Sequence, residues 1–130
     1  MHDFHWPALI TLGVLLLLFA VAGVVGKARG KYQIAAPATT GHPEFERAFR
    51  VQMNTVENAV LFLPALWLFA AFVSGFWSGA FGAVWLAARV WYAIAYLQDP
   101  ARRGPAFGLS MLVFGILTLG AAWGVAQGFL

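Results

Sequence analysis

EFERAFRVQMNTVENAVLFL, Glu44 to Leu63, begins as a charged helix face and ends as an apolar one. No Gly interrupts it, and no Pro lies between Pro43 and Pro64. At about 100° per residue, Arg47, Arg50, Asn54, Glu57 and Asn58 fall on one side of a helix. Residues 58–88 then carry no charge at all, so the polar face leads directly into the pattern of a membrane span. An ionisable group at that depth costs at least about 2.5–3.5 kcal/mol on insertion scales, and persists where it meets a partner, a cavity or a ligand. Two arginines, two asparagines and a glutamate on one face therefore point to a site for a small zwitterionic or anionic molecule.

Composition places the whole chain in the bilayer. It is 62% hydrophobic and 10% charged, with a mean hydropathy of +0.77, whereas soluble domains carry about 25% charged residues. A single integral membrane domain over residues 1–130 is expected. Cysteine is absent, which excludes disulfides, thiolate metal sites and a cysteine nucleophile. No glycine-rich phosphate loop, His/Glu metal spacing or Gly-x-Ser-x-Gly elbow occurs. His2, His5 and His42 have no metal-like arrangement and suit interfacial or capping roles, so no metal is expected. The net charge of +3 sits beside the membrane, where it argues topology and not nucleic acid.

Hydropathy predicts an all-α, four-transmembrane-helix bundle with spans over about 7–26, 44–73, 80–98 and 106–127. The first lacks a basic leader and a small-residue cleavage site, so it reads as an anchor. Residues 27–42 read as a polar loop, SGFWSG (74–79) as a turn and DPARRGP (99–105) as a short break. Pro43 followed by Glu44 and Glu46 fits a helix start. Thirty residues at 1.5 Å each reach about 45 Å, so the charged first turns of the second helix should project from the bilayer. Gly120, Gly124 and Gly128 are spaced four apart and permit close helix contact. Lys27, Arg29, Lys31, Arg102 and Arg103 share one side of this topology, and the other side has no Lys or Arg. By the positive-inside tendency the basic loops are cytoplasmic and both termini lie opposite. The six Trp scatter over all four spans or their ends, several as interfacial anchors.

The run TTGHPEFERAFRVQMNTVENAVLFLPALW, Thr39 to Trp67, resembles the signature of the MAPEG family, the membrane-associated proteins in eicosanoid and glutathione metabolism. The family pattern is approximately E-R-x-x-R-x-Q-x-N-x-x-E, here Glu46, Arg47, Arg50, Gln52, Asn54 and Glu57. A second block, ARVWYAIAYLQDPARR (88–103), is similar in its spacing of Arg89, Tyr92, Tyr96 and Arg103. The resemblance implies a homotrimer that holds glutathione, as co-substrate, between neighbouring subunits near the cytoplasmic membrane boundary. It implies that Arg50, Asn54, Glu57, Tyr92 and Tyr96 bind the tripeptide, and that Arg29 and Gln52 match positions contributed by the neighbouring subunit. Arg103 matches the arginine that activates the thiol in the leukotriene-forming member. Asn58 and Gly30 depart from that member, which has a tyrosine and a second arginine there, and an Asn after the Glu is closer to the microsomal glutathione transferases. A proline expected just after Asn58 is also absent, and Pro64 comes about a turn later.

The residue types fit such a ligand. Arginines grip carboxylates bidentately, a glutamate receives an ammonium, and tyrosine hydroxyls complete the hydrogen bonding. Positions 89, 92 and 96 share one helix face. Gln52 points roughly 200° from Arg50, which is compatible with facing another chain. An alternative stays open from spacing alone: Glu57 paired with Arg50 or Arg89 simply to let the bundle insert. The expected function is a membrane-bound glutathione transferase or peroxidase that activates the thiol for attack on lipophilic electrophiles or hydroperoxides arriving through membrane lipid. The rival reading is a non-enzymatic lipid-binding member of the family. A small multidrug transporter driven by an acidic residue in its first span fits poorly, because nothing between Asp3 and Lys27 is charged.

Overall fold

The computed structural model describes residues 3–130, so His2 lies outside the described residues. Four long helices account for nearly all of it: α1 (His5–Tyr32), α2 (Pro43–Phe72), α3 (Gly75–Gln98) and α4 (Arg103–Gln127), with a short 3-10 turn, Pro100–Arg102, before the last. All four are long and apolar enough to cross a membrane. Four such helices fit a multi-pass membrane protein. The helices α2 and α3 pack on each other, and α1 and α4 each pack on both.

The core explains this order. Phe62 of α2 stacks on Trp85 of α3, ring centroids 3.8 Å apart and nearly parallel, among Val14, Leu66, Val113 and Leu117 from all four helices. A second cluster joins Val21, Val51, Tyr92 and Ala106, and a third joins Val25, Phe45 and Ala48. The outer surface is as apolar as the inside: Leu16, Phe19 and Leu119 are more than 70% exposed. That distribution suits a hydrocarbon surround. Polar side chains within the spans bond locally, as Thr11 Oγ1 does to the Pro7 carbonyl at 2.8 Å while accepting from Trp67 Nε1 at 3.0 Å.

Three expected boundaries move. First, α1 runs on through Lys27, Arg29 and Lys31 to Tyr32, so these cations lie on a helix and not in the loop expected from residue 27. Twenty-eight residues reach about 42 Å, beyond a core of roughly 30 Å, and cations favour the negative C-terminal end. Second, SGFWSG is not a turn. Ser74 caps α3 by accepting from the Trp77 amide at 3.1 Å, and the chain reverses at Val73–Ser74. The glycines there serve close packing: a Cβ on Gly79 would come within 2.5 Å of Trp6 Cβ. Third, α4 starts at Arg103 and not near residue 106. His42 does cap α2, its Nδ1 accepting from the Glu44 amide at 3.1 Å. Pro64 sits inside α2, which continues through it to Phe72. Gly120 and Gly124 close on Phe69 and on the Phe72 carbonyl of the same chain, so this glycine row is spent on packing α4 against α2.

The topology is directly measurable because the chain has no cysteine. Ser78 is fully buried and makes a poor reporter; Thr39 and Phe129 are exposed. Cysteines placed singly at these two positions should label from opposite faces of sealed vesicles. Labelling of both from one face would rule out four spans.

Candidate functional site

The outward face of α2 is polar near its start and apolar beyond. Spacings of seven put Arg50, Glu57 and Pro64 on one line and Asn54, Leu61 and Leu68 on its neighbour. Arg50 and Glu57 are exposed, and Asn54 and Asn58 are half-buried. Among the described residues the ion pairs are His5–Asp3 and Lys31–Glu44. Glu57 therefore pairs with neither Arg50 nor Arg89 within the chain, and the internal-neutralisation alternative is not formed. The isolated chain leaves two opposite charges on a surface that otherwise suits lipid.

Arg89, one turn before Tyr92 on α3, is the residue whose importance the sequence understated. It is completely buried. One terminal nitrogen, Nη2, donates to Asn54 Oδ1 at 2.7 Å and to Thr55 Oγ1 at 3.1 Å. Its Nε and Nη1 have no hydrogen-bond partner among the described residues. The guanidinium carbon lies 4.1 Å from the centre of the Tyr92 ring and 6.0 Å from that of Trp85, where the negative ring faces attract a cation. Asn58 completes the cluster from the α2 side, its Nδ2 donating to the Asn54 carbonyl at 2.8 Å and to Asn54 Oδ1 at 3.2 Å. A charge in the middle of an uncharged span was the signal that could have singled out Arg89.

A row of rings then leads from this cluster towards the basic end. Tyr92 is buried and Tyr96 half-buried, with centroids 5.7 Å apart. The Arg103 guanidinium stands 5.8 Å from the Tyr96 ring centre. Arg103 is exposed and is the first residue of α4, so its cation adds to the positive end of the helix dipole. It borders an open hollow of about 460 Å³ with Pro100, Ala101, Gly104 and Phe107. The geometry thus joins Asn54, Tyr92, Tyr96 and Arg103 through Arg89, with Arg50 and Glu57 on the adjoining α2 surface.

The remaining two expected residues stand apart. Arg29 is occupied at home: Nη1 donates to the carbonyls of Ile34 at 3.3 Å and Ala38 at 2.8 Å, and the guanidinium lies over Phe45. It pins the 33–42 connection to α1. Gln52 is half-buried on another side of α2 from Arg50. A second hollow at the basic end, about 390 Å³, is bordered by Lys27, Lys31, Glu44 and Arg47. A larger apolar groove of about 590 Å³ opens between α2 and α4, lined by Leu61, Pro64, Leu68, Phe114 and Val125 among others. It begins one turn beyond Glu57, so charged and apolar surfaces adjoin along α2.

The MAPEG family model matches residues 7–123. An uncharacterized protein of Synechocystis sp. is 46% identical over 116 residues, covering 89% of this chain and 85% of its own length. Human microsomal glutathione S-transferase 2 is 40% identical over 106 residues, covering 82% and 72% respectively. Bovine leukotriene C4 synthase is 35% identical over 119 residues, covering 92% and 79%.

Proposed function

The chain belongs to the MAPEG family, and from that premise we propose that it is a membrane glutathione transferase with peroxidase capacity, acting as a homotrimer. Its similarity to proteins named for glutathione transfer and leukotriene C4 synthesis supports glutathione as the co-substrate. The observation that carries the reading is the pair Arg50 and Glu57, which are exposed at the edge of a span and have no ion-pair partner among the described residues of their own chain. Groups so placed need a partner, and a zwitterionic tripeptide between subunits supplies both signs. In this reading Arg50 and the Asn54 amide hold carboxylate, Glu57 holds the ammonium, and Tyr92 and Tyr96 donate hydrogen bonds. Arg29 and Gln52 extend the site from the neighbouring subunit.

Arg103 is the group we assign to the thiol. A free thiol has a pKa near 8.5, so only a few per cent is thiolate at neutral pH. A permanent cation at the positive end of α4 favours the thiolate, and each unit of depression is worth about 1.4 kcal/mol. Arginine does not take the proton at working pH, so the proton leaves to water. The sulfur then attacks an electrophile, forming a thioether as the leaving group departs. With a hydroperoxide the sulfur takes the terminal oxygen and displaces alkoxide from the O–O bond, leaving a sulfenic acid, from which a second glutathione thiol displaces water to form the disulfide. The apolar groove beside α2 favours a lipophilic second substrate from the bilayer, and it equally suits the rival, a lipid-binding member without catalysis. Basic ends on the cytoplasmic side would put the glutathione site in contact with cytosol.

Three outcomes test this. Arg103→Ala should keep most glutathione affinity while losing the thiolate ultraviolet band and at least about tenfold in the thiol-attack step, a deficit of about 1.4 kcal/mol. Parent-like turnover of a standard electrophile by that variant would remove Arg103 from the mechanism. Arg50→Ala and Glu57→Gln should instead raise the glutathione Kd by about tenfold or more, since a hydrogen bond to a charged group contributes about 1.5–3 kcal/mol. A parent chain that binds no glutathione at millimolar concentration would leave the lipid-binding rival. Native mass measurement should return three chains, and a monomer that binds glutathione stoichiometrically would sink the shared site.

A further inference from the structure

We propose that Arg89 is a positioning residue that fixes the polarity of Asn54, holding its amide nitrogen outward as a donor beside the Asn58 oxygen, an acceptor. The proposal rests on the glutathione reading for its ligand but on separate atoms for its geometry. A guanidinium carries donors only. The Asn54 atom 2.7 Å from Arg89 Nη2 must therefore be its oxygen. That oxygen also receives Asn58 Nδ2 at 3.2 Å, which fills both of its lone pairs. Asn58 in turn commits its nitrogen to the Asn54 backbone carbonyl at 2.8 Å. What remains for a ligand is the nitrogen of Asn54 and the oxygen of Asn58.

An ordinary asparagine is ambident: half a turn about its last bond exchanges donor and acceptor. Beside Arg89 that rotation would set N–H against N–H inside the bundle, where an unmade hydrogen bond is costly. Arg89 has no carboxylate within ion-pairing distance among the described residues, so the Asn54 and Thr55 oxygens and the Tyr92 ring are what hold it. Burial of an uncompensated cation is a poor way to stabilise a fold, because an apolar isostere is often neutral or better. It is a good way to make an amide one-sided. The result along α2 is a donor half, Arg50 and Asn54, followed by an acceptor half, Glu57 and Asn58. A ligand end bearing carboxylate and ammonium is accepted in one order and refused in the other.

The test uses full-length protein in detergent, glutathione as the probe, and two readouts, equilibrium binding and thermal unfolding. Asn54→Asp gives Arg89 a counter-ion and replaces the outward nitrogen with oxygen. Its Tm should equal or exceed the parent's while its glutathione Kd rises at least about tenfold, or 1.4 kcal/mol. Arg89→Met removes the shorter of the two contacts that turn the Asn54 oxygen inward, so the Kd should rise by a similar factor. Parent-like binding by either variant overturns the proposal. So does a lowered Tm or failed folding of Asn54→Asp, because the geometry requires that carboxylate to be welcome beside the guanidinium. If the parent itself binds no glutathione, the functional reading fails, and the Tm of Asn54→Asp still decides the Arg89–Asn54 polarity.

Discussion

A guanidinium buried inside a membrane helix bundle has to be held by whatever polarity its neighbours possess, and the arrangement around Arg89 follows from that constraint. Asn54 and Thr55 turn their oxygens inward, Asn58 braces Asn54 from one turn further on, and Tyr92 offers its ring face. These contacts join α2 to α3 at the level where the second apolar cluster begins. Tyr96 and Arg103 continue from Tyr92 along α3 and the start of α4. Lose the cation and only the longer contact from Asn58 would oblige Asn54 to point one way.

Around this centre the bundle obeys the opposite requirement. Outside lies hydrocarbon, which offers no hydrogen bonds, so backbone polarity is closed within helices. The exposed surfaces of α1 and α4 are correspondingly leucine- and phenylalanine-rich. The outward face of α2 breaks the rule with Arg50 and Glu57. Its helix therefore has two duties: a buried side that packs Phe62 and Leu66 into the core, and an outward side that needs company.

Helix number, their all-apolar character and the polar face of α2 were readable because each depends on a period or a run of like residues. The helix ends were less so. Lys27, Arg29 and Lys31 look like loop in composition, yet a helix longer than the bilayer carries just such residues on its last turns. Ser74 and Gly75 look like a turn, yet a serine caps α3 and the glycine lets it approach Asp3. Both errors come from residue types with two uses, one local and one tertiary. The site divides the same way. Spacing brought Arg50, Asn54 and Glu57 to one face, but Arg89 requires knowing which atom of a neighbour it meets, and no periodicity encodes that. The use of Arg29 within its own connection was invisible for the same reason.

Helix lengths leave a further trace. At the end opposite the basic groups the four helices finish together, with Asp3 against Gly75 and Phe72 against Gly124. At the basic end they do not, because α1 and α2 have 28 and 30 residues while α3 and α4 have 24 and 25. At 1.5 Å per residue the first pair rises about 4.5–9 Å higher. The rim is thus a parapet on one side and a sill on the other, with Tyr96 and Arg103 at the sill. Anything dissolved in water meets a wall bearing Lys27, Lys31 and Arg47 from one direction and a low threshold from the other.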